Sequence, residues 1–129
     1  MTSSDWAALA DLFENDWGRV QDTAEANCRA KKWHKGGEAI NDGLEIALMH
    51  SELSEALEAF RRGNPNNIKV APVGGESEPV FSEAELELAD VVIRLACYCS
   101  RKGFRMARAV IAKLRYNEGR PVRHGGKLF

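Results

Sequence analysis

"SEAELELADVVIRLACYCS", residues 82–100, decides the fold class. Ser82 with Glu85 three residues on is a capping-box start for a helix. The body that follows is apolar on nearly every side, which predicts a helix packed on several faces, the central element of a bundle. Gly103 breaks it. Beyond the break, Phe104, Ala107, Val110, Ile111 and Leu114 fall on one face of a further helix that stops at Gly119, with Pro121 just past it.

Upstream, "NPNNIKVAPVGGESEPVFS" (64–82) holds three prolines and two glycines. A loop this long in a small domain is a functional lid or a disordered connection. Before it, Ile46, Met49, Leu53, Leu57 and Phe60 mark the expected buried stripe of a helix running to about Gly63, with Asp42 as N-cap and Glu45 completing the box. Trp6, Leu9, Phe13, Trp17, Val20 and Ala24 mark one face of a long first helix that ends near "RAKKWHKGG". No strand signal and no repeat interrupts this pattern. The reading is one all-α domain over residues 1–129, a bundle of about four helices, with the long loop between the second and third.

At 129 residues and 44% hydrophobic content, the chain has the composition of a soluble globular domain. No apolar run approaches the roughly 20 residues of a membrane span, and the acidic start lacks a secretion signal; the expected location is cytoplasmic, with no membrane partner. Cys28, Cys97 and Cys99 have neither zinc-finger nor redox spacing and are read as reduced packing residues. Charge divides unevenly. Residues 1–100 carry nine Lys/Arg against eighteen Asp/Glu, whereas residues 101–129 carry nine against Glu118 alone. Such a basic end fits nucleic acid or a phosphate-bearing small molecule, and the acidic remainder favours the second.

The acidic residues hold a pattern of their own. "HSELSEALEAF" (50–60) sets Glu52 and Glu55 among apolar neighbours of the second helix, while Glu58 has Arg61 and Arg62 one turn on as ordinary surface partners. Glu87 and Asp90 repeat the i, i+3 spacing on the third helix, with Arg94 one turn further along the same stripe. Two charges 4 Å apart repel by about 4 kcal/mol at an effective dielectric near 20. Four carboxylates brought together by packed helices therefore call for a cation, and all-oxygen ligation suits Mg²⁺, or Mn²⁺ in its place. The bland alternative is that each pair is half-exposed and salt-bridged. Di-iron chemistry would want Glu-x-x-His on two helices, and the chain contains no Glu-x-x-His.

On the fourth helix Lys113, Asn117 and Arg120 align at i, i+4, i+7 beside Tyr116, and the tail adds Arg123, His124 and Lys127 around two glycines. This is either a solvated basic face or a phosphate-binding one. Carboxylates for metal and cations for phosphate are the two halves of a phosphoryl-transfer site. There is no P-loop and no G-x-G-x-x-G.

Taken together, "ELSE" (52–55), "ELAD" (87–90) and the ending "KLRYNEGRPVRHGGKLF" resemble the MazG-like, all-α nucleoside triphosphate pyrophosphohydrolases, in particular a small single-domain branch that includes phage and integron members. The resemblance spans roughly residues 27–129. The 31 residues between Glu55 and Glu87 exceed the usual family gap. It implies that Glu52, Glu55, Glu87 and Asp90 bind Mg²⁺, with Glu52 or Glu55 as general base. It implies that Lys113, Tyr116, Asn117 and Arg120 hold the triphosphate. Asn27, Lys31, Trp33, His34 and Lys127 would lie near the nucleotide, Trp33 either stacking on a base or packing at an interface. The implied reaction converts an NTP, expected to be a dNTP, to the monophosphate and pyrophosphate, for nucleotide-pool control or housecleaning. The implied assembly is a homo-oligomer, a dimer or tetramer. The contrasting expectation is a non-catalytic helical oligomer that binds nucleic acid or a protein through the basic segment 101–127.

Overall fold

The computed structural model of the chain describes residues 1–35, 37–62 and 81–121. It is all-helical in architecture: α1 (Ser3–Ala30), α2 (Asp42–Arg61), α3 (Glu83–Lys102) and α4 (Met106–Glu118). The expected loop falls almost wholly outside the described residues, as do Arg123, His124 and Lys127. Among the described residues no helix is long and apolar enough to cross a membrane.

The helices α1, α2 and α3 start where a side chain satisfies otherwise orphaned first amides, whereas α4 starts at Arg105 with no side-chain cap. Thr2 and Asp5 form a capping box on α1, and Ser82 and Glu85 form the expected one on α3. On α2 the cap differs by one residue from the expectation. Asn41 is the N-cap, its side-chain oxygen accepting from the Leu44 amide at 3.0 Å. Asp42, in the first turn, instead accepts from the Tyr98 hydroxyl at 3.0 Å and pairs with Lys102 at 3.0 Å. Tertiary partners outbid the local cap for this carboxylate, and Lys102 first, then Tyr98, hold it below the ordinary aspartate range.

Gly103 ends α3 in the left-handed region at φ 66°, with its amide bonded back to Cys99 and Ser100. A Cβ there meets no atom within 4 Å, so the cost of a side chain is conformational alone. Gly103→Ala should destabilise the protein by about 1 kcal/mol, read as a lower urea midpoint at constant slope. Gly119 caps α4 in the ordinary right-handed region, φ −84°, so a left-handed stop is not used there.

The helix α3 is central, packing against α2 on one side and α1 on the other. α2 and α3 run antiparallel, since Arg101 meets Glu45 at 2.7 Å, Arg94 meets Glu52 at 2.6 Å and Arg62 meets Glu83 at 2.9 Å. The first half of α1 carries α4, through Trp6, Ala10 and Phe13 around Ile111. Its second half lies on α3, where Trp17, Ala24 and Cys28 meet Ala96 and Cys97. A third cluster joins Met49 to Tyr98 and Cys99, flanked by Ile40, Leu95 and Met106.

The interior differs from the periodicity reading. Beside Trp6, Met49, Tyr98 and Ile111 it is built from small residues, and among the described residues Cys99 is the largest side chain that is fully buried. Of the expected α2 stripe only Met49 is buried; Ile46, Leu53, Leu57 and Phe60 are 44–56% exposed. On α1 Leu9 and Val20, and on α4 Leu114, are likewise exposed, as is Phe104, which precedes α4 instead of opening its inner face, while Ala107 and Ile111 are buried. The helices approach along alanines and cysteines, which rotates the bulky residues outward. All three cysteines are free and buried, as expected. Burial, with the neighbouring Cys28 second, pushes the Cys97 thiol up to about 12, which keeps it protonated and unreactive.

Candidate metal centre

Antiparallel pairing of α2 and α3 sets their i, i+3 carboxylate pairs at one level of the hairpin. Glu52, Glu87 and Asp90 each place one oxygen so that all three lie within 4.8 Å of one another. Glu55 does not join this group; it stands exposed one turn along α2. Of the four expected ligands, the helices therefore bring three together. Glu52 and Glu87 are half-buried and Asp90 is exposed, so the cluster opens to solvent on one side.

Arg94, one turn beyond Asp90, donates from Nε to Oε1 of Glu52 at 2.6 Å. A carboxylate has two oxygens, and this bond engages one of them. The sequence placed Arg94 on the acidic stripe but not across the helix interface on Glu52. Glu58 behaves as expected, accepting from Arg61 at 2.9 Å.

The donor set fits a hard divalent cation. Oxygens about 2.1 Å from magnesium stand roughly 3–4 Å apart, so a spread of at most 4.8 Å closes with small carboxylate movements. Three oxygens leave part of an octahedron for water and ligand oxygens. The absence of nitrogen or sulfur donors disfavours zinc.

Beside the cluster, Cys28, His34, Glu45, Leu48, Arg94 and Arg101 line a small recess together with Trp33, Ile93 and Cys97. Trp33 is 69% exposed at its rim. His34 is buried, with Nε2 3.7 Å from both Cys97 Sγ and Glu25 Oε1. Its ring is thus turned into the interior as much as toward a ligand. Lys31 is the exposed C-cap of α1. Asn27 lines a different groove, between α1 and α3, with Arg19, Val20, Thr23 and Ile93. The pairing of Glu45 with Arg101 in the recess was not foreseen; a cross-helix ion pair leaves no local spacing signal.

The basic residues of α4 are elsewhere. α4 packs chiefly on α1, through the side that holds Ala107 and Ile111. Lys113, Asn117 and Arg120 lie about half a helical turn round from that side and are exposed. Tyr116 sits between Lys113, 4.9 Å from its ring centre, and Arg120, at 5.8 Å. No protein-family model, curated protein or solved structure matches the chain.

Proposed function

We propose that the protein is a Mg²⁺-dependent nucleoside triphosphate pyrophosphohydrolase that converts a (d)NTP and water to the monophosphate and pyrophosphate. The observation that carries this reading is the convergence of Glu52, Glu87 and Asp90 from two antiparallel helices within 4.8 Å. Three acidic groups held this close repel one another, and beyond the arginine already on Glu52 a divalent cation would draw all three oxygens together. The open, all-oxygen set suits an ion that also takes phosphate oxygens. The resemblance of "ELSE", "ELAD" and the chain's ending to the MazG-like enzymes points the same way.

In this reading Glu52, Glu87 and Asp90 hold the ion, which when bound supplies charge neutralisation for a polyphosphate and for the leaving pyrophosphate. Arg94 fixes the orientation of Glu52. Glu55, outside the ligand group and exposed, takes the proton from the attacking water. Water oxygen bonds to phosphorus as the bridging anhydride bond breaks, and pyrophosphate leaves. The indole of Trp33, at the rim of the recess, offers a face on which a base stacks. The family resemblance assigns Lys113, Tyr116, Asn117 and Arg120, exposed on the outer side of α4 and its exit, to the phosphates.

That outward basic face supports the contrasting reading, a module that binds nucleic acid or a protein without catalysis. One assay separates them. A panel of common NTPs and dNTPs with dUTP, with Mg²⁺ and with EDTA, should yield monophosphate and pyrophosphate only with metal. No turnover, together with salt-sensitive nucleic-acid binding that survives Asp90→Asn, would favour the binding module.

A further inference from the structure

The recess beside the carboxylate cluster holds cationic chemistry that the metal reading leaves unused. Arg94 and Arg101, about two turns apart on one side of α3, both line this recess of about 60 Å³. Each is tied to α2 through one nitrogen. Nε of Arg94 donates to Glu52 at 2.6 Å, and Nη1 of Arg101 donates to Glu45 at 2.7 Å. A guanidinium has further donors to give. Nη1 and Nη2 of Arg94, and Nε and Nη2 of Arg101, make no other hydrogen bond among the described residues. Among those residues no buried side-chain nitrogen or oxygen lacks a partner, so these nitrogens reach water. The side chain of Arg101 is nonetheless only 11% exposed.

The turn that closes the recess supplies a second, independent observation. At the end of α1 the Trp33 amide bonds back to Cys28 and the Lys32 amide to Arg29, both at 3.0 Å. The left-handed position of such a cap ordinarily belongs to glycine. Here it is held by Lys32 at φ 60°, the one non-glycine residue with positive φ among the described residues. A β-carbon at that position costs stability, and such a cost persists where something else requires the residue. What glycine would lack is the ammonium. Lys31, Lys32 and Lys35, all exposed, flank the exposed Trp33 and the buried His34 that line the recess.

We infer that the recess is a binding site for a tetrahedral oxyanion, a phosphate group held by the forks of Arg94 and Arg101 with Lys32 at the rim. Guanidinium N–H pairs match phosphate oxygens bidentately. The volume holds a few water molecules, which a single oxyanion would replace. Glu45 opposes the charge of the ligand, and its bond to Arg101 offsets that opposition while fixing the fork. A clasp between two helices is served as well by apolar side chains; donors open to water are what a ligand uses. The phosphate has two sources. Arg94 bonds Glu52 of the carboxylate cluster and also lines the recess, so one source is a phosphate of a nucleotide on the metal centre. The other is free phosphate. The nucleotide source rests on the function proposed above; the oxyanion site does not.

Calorimetric titration of the full chain with inorganic phosphate, at constant ionic strength and without metal, tests the site. The same titration with the α,β-imido analogues of the four common dNTPs in Mn²⁺ distinguishes the sources. Arg101→Lys keeps a positive charge for Glu45 but loses the fork, and should weaken binding at least tenfold. Arg61→Ala, at the other end of α2, removes a cation outside the recess and should leave affinity unchanged. Lys32→Gly should raise the urea midpoint and weaken binding severalfold, opposite signs that a purely structural lysine would not give. Unchanged binding in Lys32→Gly overturns the role of that lysine. A loss with inorganic phosphate identifies free phosphate as a ligand, and a loss confined to the imido analogues assigns the site to a nucleotide phosphate. Should Arg101→Lys fail to fold, the ligand that binds the wild type should still shift the indole N–H resonance of Trp33 and leave those of Trp6 and Trp17 in place. No binding of either ligand, equal affinity in Arg101→Lys and wild type for both, or an equal loss in Arg61→Ala overturns the inference. Phosphate binding by a chain that takes up no Mn²⁺ keeps the recess and overturns the metal reading. Mn²⁺ uptake with neither phosphate ligand bound overturns the recess alone.

Discussion

Asp90→Asn should abolish Mg²⁺-dependent turnover and leave the fold intact. The side chain is exposed at the open edge of the cluster, so no packing is lost, and the metal-free stability should stay within about 0.5 kcal/mol of wild type. What changes is the donor set. Asparagine keeps one neutral carbonyl oxygen and loses the charge, and a hard cation held by three carboxylates loses a third of its counter-charge. A drop in kcat/KM of roughly 100-fold or more is expected, equivalent to about 2.7 kcal/mol of transition-state stabilisation. Mg²⁺ should raise the melting temperature of the wild type and not that of Asp90→Asn, a readout that requires no substrate. Glu87→Gln should behave alike. Activity near wild type in either variant, with Mg²⁺ still raising the melting temperature, would remove these residues from the metal site.

The fold class was legible because it depends on signals a chain carries locally. Ser82 with Glu85 and the glycine at 103 are short-range features, and the structure uses them as read. The α2 cap missed by one residue because Asn41 and Asp42 are both good caps, and the choice was made by Tyr98 and Lys102, more than fifty residues away. The burial error has the same root. A stripe of large apolar residues predicts that a face will be covered; it does not name the chain that covers it. α2 meets α3 along Met49, Ala56 and Ala59, leaving Leu53, Leu57 and Phe60 outside.

For the site, spacing announced the carboxylate pairs, and the antiparallel hairpin sets three of the four at one level. Glu55 shares the i, i+3 motif with Glu52, but three residues correspond to about 300° of rotation and about 4.5 Å of rise. That displacement is enough to carry its carboxylate off the α3-facing side. The contact between Arg94 and Glu52 spans 42 positions and has no signature in either helix alone.

Arg94→Ala should weaken Mn²⁺ binding by roughly 10–100-fold, the usual effect of removing a group that hydrogen-bonds a metal-ligating side chain. Two effects oppose each other here. Deleting a cation beside a cation site removes repulsion and by itself would tighten binding. Losing the 2.6 Å bond from Nε to Oε1 lets Glu52 rotate, so that its carboxylate is no longer held in place beside Glu87 and Asp90. The hydrogen bond to Glu52 is direct and charge-assisted, so the positioning effect should win. Arg94→Lys distinguishes the two. It keeps the charge but replaces a planar donor with a compact ammonium on a flexible stem, and should recover only part of the affinity. Calorimetric titration of metal into wild type, Arg94→Ala and Arg94→Lys reads the sign directly. Tighter binding in Arg94→Ala would show that the arginine competes with the cation for Glu52, and its role would then be to neutralise the cluster until metal arrives.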